Sequence, residues 1–167
     1  MNNDFYKIYG AEGSHDGIIK LSDRHCVIIY GYGTDDLGGW NWRKDYDHVP
    51  SISEVRNDIE ALVNAQTDEI ILTGLVWNGK PVYLSSENQF NFKAANDLCI
   101  HTGGANLPMK LKLGEDVNGN AVYHTFTKAE VLDGFVTSIF GHILSAIRDG
   151  WSEKDSVDYS LYEIQEP

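Results

Sequence analysis

Residues 76–97 read V-W-N-G-K-P-V-Y-L-S-S-E-N-Q-F-N-F-K-A-A-N-D, and their order decides the class of fold. Asn78-Gly79 sits between two short apolar runs and supplies the two positive φ values that a tight hairpin requires. Strands are therefore expected over residues 69–77 and 80–84, joined directly and antiparallel. Ser85 or Ser86 then caps a helix, with Gln89 spaced to complete a capping box from Ser86. Phe90, Ala94, Leu98 and Cys99 give that helix an apolar stripe. Gly103-Gly104 stops it, because glycine enters the left-handed C-terminal conformation without a Cβ clash. Hairpins joined in series with helices point to an α+β domain.

The same signals extend in both directions. Residues 5–9, 17–21 and 26–32 read as strands separated by the turn compositions A-E-G-S-H-D-G and S-D-R-H, which predicts a small antiparallel meander. The following T-D-D-L-G-G-W-N-W-R-K-D-Y-D-H-V-P, residues 34–50, reads as a long irregular connection, uncommon unless it packs or binds something. Ser51-Ile-Ser-Glu54 is a capping box, and the helix it opens places Ile52, Val55, Ile59, Leu62 and Val63 on one stripe, ending near residues 64–67. A second hairpin is expected over residues 108–113 and 121–126, around G-E-D-V-N-G-N. Thr127-Lys-Ala-Glu130 opens the longest helix, lined by Val131, Phe135, Ile139, Ile143 and Ile147 and ended by Gly150. A tail with isolated apolar anchors follows. The expected architecture is α+β: an antiparallel sheet and hairpins with three helices packed on them, in the order meander, helix, hairpin, helix, hairpin, helix. Its divisions are a β meander at 1–39, an α+β domain at 40–158 and a tail at 159–167.

Composition narrows the class of function. With 167 residues and 42% hydrophobic content, the chain is long enough for one domain with an ordinary core. Four tryptophans and nine tyrosines are too much ring surface for a disordered segment. The formal charge is −12, and the acid is spread along the chain. Such a surface repels the phosphate backbone and anionic lipid, so neither nucleic acid nor membrane is an expected partner. Cys26 and Cys99, far apart in apolar surroundings, read as buried free thiols. The start M-N-N-D-F-Y-K has no secretory pattern and no apolar window of membrane-helix length is apparent, so a cytoplasm, or a particle assembled in one, is the expected setting.

The chain offers no catalytic constellation. His15, His25, His48, His101, His124 and His142 are scattered without the short spacings of a metal site, so no metal is expected. His142, beside Ile139 and Ile143, reads as a hydrogen-bonded core or interface histidine. Asp45, Asp47 and His48 read as a solvated loop rather than a carboxylate pair for glycoside hydrolysis. There is no Gly-x-Ser-x-Gly elbow and no Walker lysine, and Gly31-Tyr-Gly33 is too short for a dinucleotide loop and is followed by acid. No cofactor and no enzymatic activity are expected.

Binding candidates are better founded. Trp40, Trp42, Arg43 and Tyr46 are of the types that dominate interface energetics, burying much area while keeping a polar handle. They can equally fold inward, with Arg43 paired to Asp45 or Asp47, or stack on sugar rings. Asn88 and Asn91, at the amide-rich start of the second helix, either satisfy backbone groups of the neighbouring loop or form a ladder presented to an identical subunit.

The run V-W-N-G-K-P-V-Y-L-S-S-E-N-Q-F-N-F-K-A-A-N-D-L resembles a small domain of unknown function encoded in phage and prophage genomes, notably those of Bacteroides-type gut bacteria. L-P-M-K-L-K-L-G, Y-H-T-F-T-K-A-E and G-H-I-L-S-A-I-R-D-G-W-S-E-K-D resemble it as well, and W-N-W-R-K-D-Y-D-H-V-P is similar to the segment preceding that domain. Together these cover roughly residues 40–158. Genes of this kind tend to lie near tail or tail-fibre genes. The resemblance therefore implies a phage structural protein, virion- or tail-associated, acting by protein–protein contact with other phage structural proteins and as a homo-oligomer. A tail-fibre assembly chaperone and a host-glycan binding or hydrolysing module are the alternatives. The family supplies no catalytic residues to carry over.

Overall fold

The computed structural model describes residues 4–164 and has an α+β fold. Two units divide the chain, the first holding residues up to Val63 together with those from Glu153 onward, the second holding Asn64–Ser152.

In the first unit β1 (Tyr6–Tyr9), β2 (Gly17–Ser22), β3 (His25–Asp35) and β4 (Gly38–Tyr46) form one antiparallel sheet in the order β1-β4-β3-β2. Residues 34–50 are therefore not an irregular connection. Asp35 and Gly38 pair across a tight turn, and Gly38–Tyr46 runs back along β3 with Trp42 opposite Tyr30 and Tyr46 opposite Cys26. The stretch carries tryptophan and tyrosine on alternate positions, the pattern of a half-buried strand, which its glycines and acids disguise. Two expectations fail with it. The simple meander is closed by β1, which pairs with β4 rather than β2, and a division after residue 39 would cut through β4.

The core of this unit sets Cys26, Ile28 and Tyr30 of β3 against Val55, Ile59 and Val63 of α1 (Ile52–Thr73). The capping box that opens α1 forms as expected: the Glu54 amide donates to the Ser51 Oγ at 3.2 Å, and the Ser51 amide donates to the Glu54 carboxylate at 2.9 Å. The C-terminal segment is an anchor. A 3₁₀ turn at Tyr159–Tyr162 buries Tyr162, whose hydroxyl donates to the Ile29 carbonyl at 3.2 Å. Residues 165–167 of the expected tail lie outside the described residues.

The second unit takes in the rest of α1, then β5 (Leu75–Trp77), β6 (Lys80–Val82), α2 (Ser86–His101), β7 (Met109–Glu115), β8 (Ala121–Phe126) and most of α3 (Ala129–Asp155). α1 runs past the expected end to Thr73, so Ile70-Ile71-Leu72 is helical rather than the start of a strand. The first residue that favours an exit is Gly74, whose amide donates to the Ile70 carbonyl at 2.8 Å. The Asn78-Gly79 hairpin is present, with φ of 49° and 72°. Gly103 and Gly104 end α2 with φ of 60° and 84°, and the Gly104 amide donates to the Cys99 carbonyl.

α2 buries a face other than the one expected, and α3 buries much of the expected one. In α2 the inward residues are Phe92, Ala95, Asn96 and Cys99, while Phe90 is 71% exposed and Leu98 faces solvent. Phe92 is drawn in by Phe135, 5.1 Å away between ring centroids, and Asn96 by the Asp133 carboxylate at 3.0 Å. Phe135 also touches Trp77 and Phe126, at 4.9 and 5.2 Å. Aromatic contacts of this kind each add about 0.5–1.5 kcal/mol beyond area burial. In α3 the expected Phe135 and Ile139 are buried and Ile143 packs against the core, joined by Leu132, Val136 and Ala146, while Val131 lies outside.

Gly150 does not end α3, which continues to Asp155. It is buried against Thr67, and a Cβ there would lie 2.3 Å from the threonine oxygen. The glycine is required by the close approach of two helices. α3 also corrects the reading of apolarity. An 18-residue window of it reaches a mean hydropathy of 1.3, long and apolar enough by composition to cross a membrane, and 28% of that window is buried.

Candidate functional site

β4 positions most of the aromatic and charged residues singled out from the sequence. Successive side chains of a strand point to opposite faces, so Trp40, Trp42, Lys44 and Tyr46 share one face, and Asn41, Arg43 and Asp45 the other. Trp42 packs against the α1-side core, and Tyr46 belongs to that core. Trp40 lies over Gly33, where a Cβ would fall 2.3 Å from the indole, and packs edge-on to Trp42 at 5.2 Å. The Lys7 ammonium sits 3.8 Å from its ring centroid, a cation–π contact. The aromatic group is thus part of the sheet's packing.

The opposite face is built around Asp45. Its carboxylate accepts from the Tyr6 hydroxyl at 2.6 Å and from Arg43 at 2.7 and 3.1 Å, and lies 2.9 Å from His25 Nε2. The Arg43 guanidinium, aided by Tyr6 and His25, holds the Asp45 carboxyl well below the usual carboxylate range, while the same pairing raises Arg43. A carboxylate so fully occupied has no lone pair free to act as a base. Along the strand, the buried Asn41 side chain donates to the carbonyls of Gly13 and Gly31. Asp16 accepts from the Gly31 amide at 2.8 Å. This knot was not read from the sequence, since an asparagine on a strand carries no local signal of burial.

Where β4 ends, the chain turns into α1 around an open, acidic cavity of about 350 Å³ whose lining includes Lys44, Tyr46, His48, Glu54 and Asp58. Tyr46 donates its hydroxyl to Asp58, and Lys44 pairs with the same carboxylate at 2.8 Å. Burial, with Asp58 beside it, pushes the Tyr46 phenol far up. His48 bridges Asp47 at 2.9 Å and Glu54 at 3.0 Å, and both carboxylates raise its pKa. The strand stops at Tyr46, and Asp47 and His48 are exposed. Asp45, Asp47 and His48 all line this cavity. Asp45 belongs to strand β4 rather than to a solvated loop and is held by Arg43, Tyr6 and His25, whereas His48 bridges the exposed Asp47 and Glu54.

The amides of α2 serve its own N-terminus. The Asn88 amide nitrogen donates to Ser85 Oγ at 3.2 Å, its side chain donates to the Tyr83 carbonyl at 2.9 Å, and Gln89 reaches the Leu84 carbonyl at 2.7 Å. Ser85 is therefore the cap, and Gln89 completes no box from Ser86. Asn91 is exposed. Asn88 also lines a cavity of about 490 Å³ with Thr73, Tyr83, Lys112 and Glu115. Lys112 and Glu115 pair with each other there at 2.8 Å. His142 is a structural histidine, with Nε2 2.9 Å from the Ile70 carbonyl. Burial, reinforced by Lys80, lowers His124. Among the described residues no group of three or more His, Cys, Asp or Glu converges as metal ligands do, and Cys26 and Cys99 are buried free thiols in different units.

The fold and these clusters define an α+β protein whose conspicuous polar groups are largely satisfied internally. Comparison with family models, with curated proteins and with solved structures finds no match to the chain in any of the three.

Proposed function

We propose that this chain is a virion- or tail-associated phage structural protein that acts by protein–protein contact. The observation that supports contact is the apolar surface of the second unit: Phe90, Leu98 and Ile100 on α2, with Phe140, Leu144 and Trp151 on α3, all lie at least 44% exposed. Several large apolar side chains exposed on two helices of one unit are a common mark of partner surfaces. The polar groups point the same way, because Asp45, Asp58 and Asn88 are consumed in holding strands and helix ends. The phage setting rests on the likeness of residues 40–158 to the phage domain.

Mass spectrometry of purified particles from a phage carrying the gene tests the reading. The chain should be present at a copy number set by its place in the particle. Its absence from finished particles, with presence in infected cells, would replace the structural reading by that of an assembly chaperone. A glycan-binding role has less support. It needs open tryptophan faces, whereas Trp42 packs on the core and Trp40 carries the Lys7 ammonium.

A further inference from the structure

α3 has a second apolar stripe that its own unit does not cover. Phe140, Leu144, Ile147 and Trp151 follow one another at spacings of four, three and four, which is the seam spacing of paired helices. They lie roughly 100° round the axis from the core face of Leu132, Phe135, Ile139 and Ala146. Leu144 is 67% exposed, Trp151 62% and Phe140 44%, and Ile147 is half-buried. We propose that this stripe is a self-association surface, on which α3 pairs antiparallel with α3 of a second copy of the chain.

Two features of the stripe select a second copy as its occupant. The spacing four-three-four reads the same in both directions. A two-fold axis between Leu144 and Ile147 therefore sets Leu144 of one copy against Ile147 of the other, and Phe140 against Trp151 at each end. An isologous interface requires this self-complementarity. The second feature is charge. The chain carries −12, so most approaches between two copies are repulsive. Between Gly134 and Ser152, however, the only Asp, Glu, Lys or Arg residues are Arg148 and Asp149, which pair with each other at 3.2 Å. The stripe is a neutral window in an acidic surface.

The inference deepens the protein-contact reading above and rests on it, but it is tested on the purified full-length chain rather than on particles. Sedimentation equilibrium and light scattering of the wild type over about 10 to about 500 µM should show a monomer–dimer equilibrium, a range suited to the weak affinity of a small interface. Leu144→Glu should give a monomer across that range with an unchanged far-ultraviolet spectrum, since the residue is exposed. Geometry is read by mixing Leu144→Cys with Ile147→Cys and oxidising: the mixed disulfide dimer should exceed either homodimer. Cys26 and Cys99 are buried and do not compete.

A wild type that stays monomeric overturns the proposal, as does a dimer that Leu144→Glu leaves intact. Preferred Leu144→Cys homodimers overturn the antiparallel arrangement. If the monomer instead sediments with phosphatidylcholine vesicles and Leu144→Glu abolishes this, the stripe is a lipid-facing surface and the proposal fails. Absence of the chain from particles would undo the structural-protein reading while leaving a measured dimer standing.

Discussion

Gly150 of α3 lies so close to Thr67 of α1 that a Cβ at position 150 would fall 2.3 Å from the threonine Oγ1 and 3.4 Å from its Cβ. Alanine is the better helix former by about 1 kcal/mol, but overpacking at a close crossing costs about 1–3 kcal/mol. Gly150→Ala should therefore destabilise the protein by up to about 2 kcal/mol. Gly134, on the same helix, has nothing within 4 Å of a built Cβ, so Gly134→Ala should stabilise by up to about 1 kcal/mol. Thermal melts of the two variants should move in opposite directions. A Gly150→Ala protein that melts higher than wild type would contradict the crossing described.

The β5–β6 turn holds Asn78 at φ 49° and Gly79 at 72°. Alanine at both positions meets the left-handed region twice, so Asn78-Gly79→Ala-Ala should lose about 1–3 kcal/mol in urea denaturation. Restoring Gly79 alone should recover part of that loss. A double variant as stable as wild type would mean that the hairpin does not depend on this turn.

Asp45 is the carboxylate on which Arg43, Tyr6 and His25 converge, and Arg43 foremost holds its pKa below the ordinary range. Asp45→Asn keeps the shape and removes the charge, and should lower stability by about 1–3 kcal/mol at neutral pH. The pH dependence has a definite sign. A depressed folded-state pKa contributes stability above the unfolded value near ~3.9, lost as pH falls toward the folded value. Urea midpoints of the wild type should drop below about pH 4 more steeply than those of Asp45→Asn. Parallel acid limbs would show that Asp45 is not held by its partners.

His48 bridges Asp47 and Glu54 at the corner between β4 and α1, and both raise its pKa. Its sign is opposite to that of Asp45. The contribution is fully present below the ordinary histidine value of ~6.5 and is lost as pH rises through the raised folded value. Ring-proton NMR titration should place His48 above the ordinary value, and Glu54→Gln should bring it part of the way down, since Asp47, the larger cause, remains. Because Glu54 also caps α1 through Ser51, that variant should weaken amide protection in the first turn as well. An unshifted His48 in the wild type would remove the bridge.

The unevenness of the sequence reading has a physical pattern. The hairpin at Asn78-Gly79, the box at Ser51–Glu54 and the stop at Gly103-Gly104 were legible because each depends on stereochemistry spanning a few residues. Trp40, Trp42 and Tyr46 stand out by residue type, but Gly38-Gly39 and the flanking acids suggest turns and give the stretch the look of a loop. The strand forms because β3 and β1 accept it on both sides. Asn88 was legible as an amide satisfying backbone, and Asn41 was not legible at all.

By itself the sequence determined the α+β class, the turn and cap positions, and the abundance of apolar residues on α2 and α3. Each follows from local φ preferences, from hydrogen-bonding reach, or from composition. The stripe of α1 was legible as well, and much of that of α3. Only the tertiary structure decided which stripe of α2 turns inward, how far α1 runs, and whether Gly150 breaks a helix or lets one pass close to another. α2 carries apolar residues on more than one face, and the choice falls to partners far away in sequence: Phe135 for Phe92 and Asp133 for Asn96, as Thr67 decides the part played by Gly150. A local pattern specifies what a segment can bury, and packing specifies what it does bury.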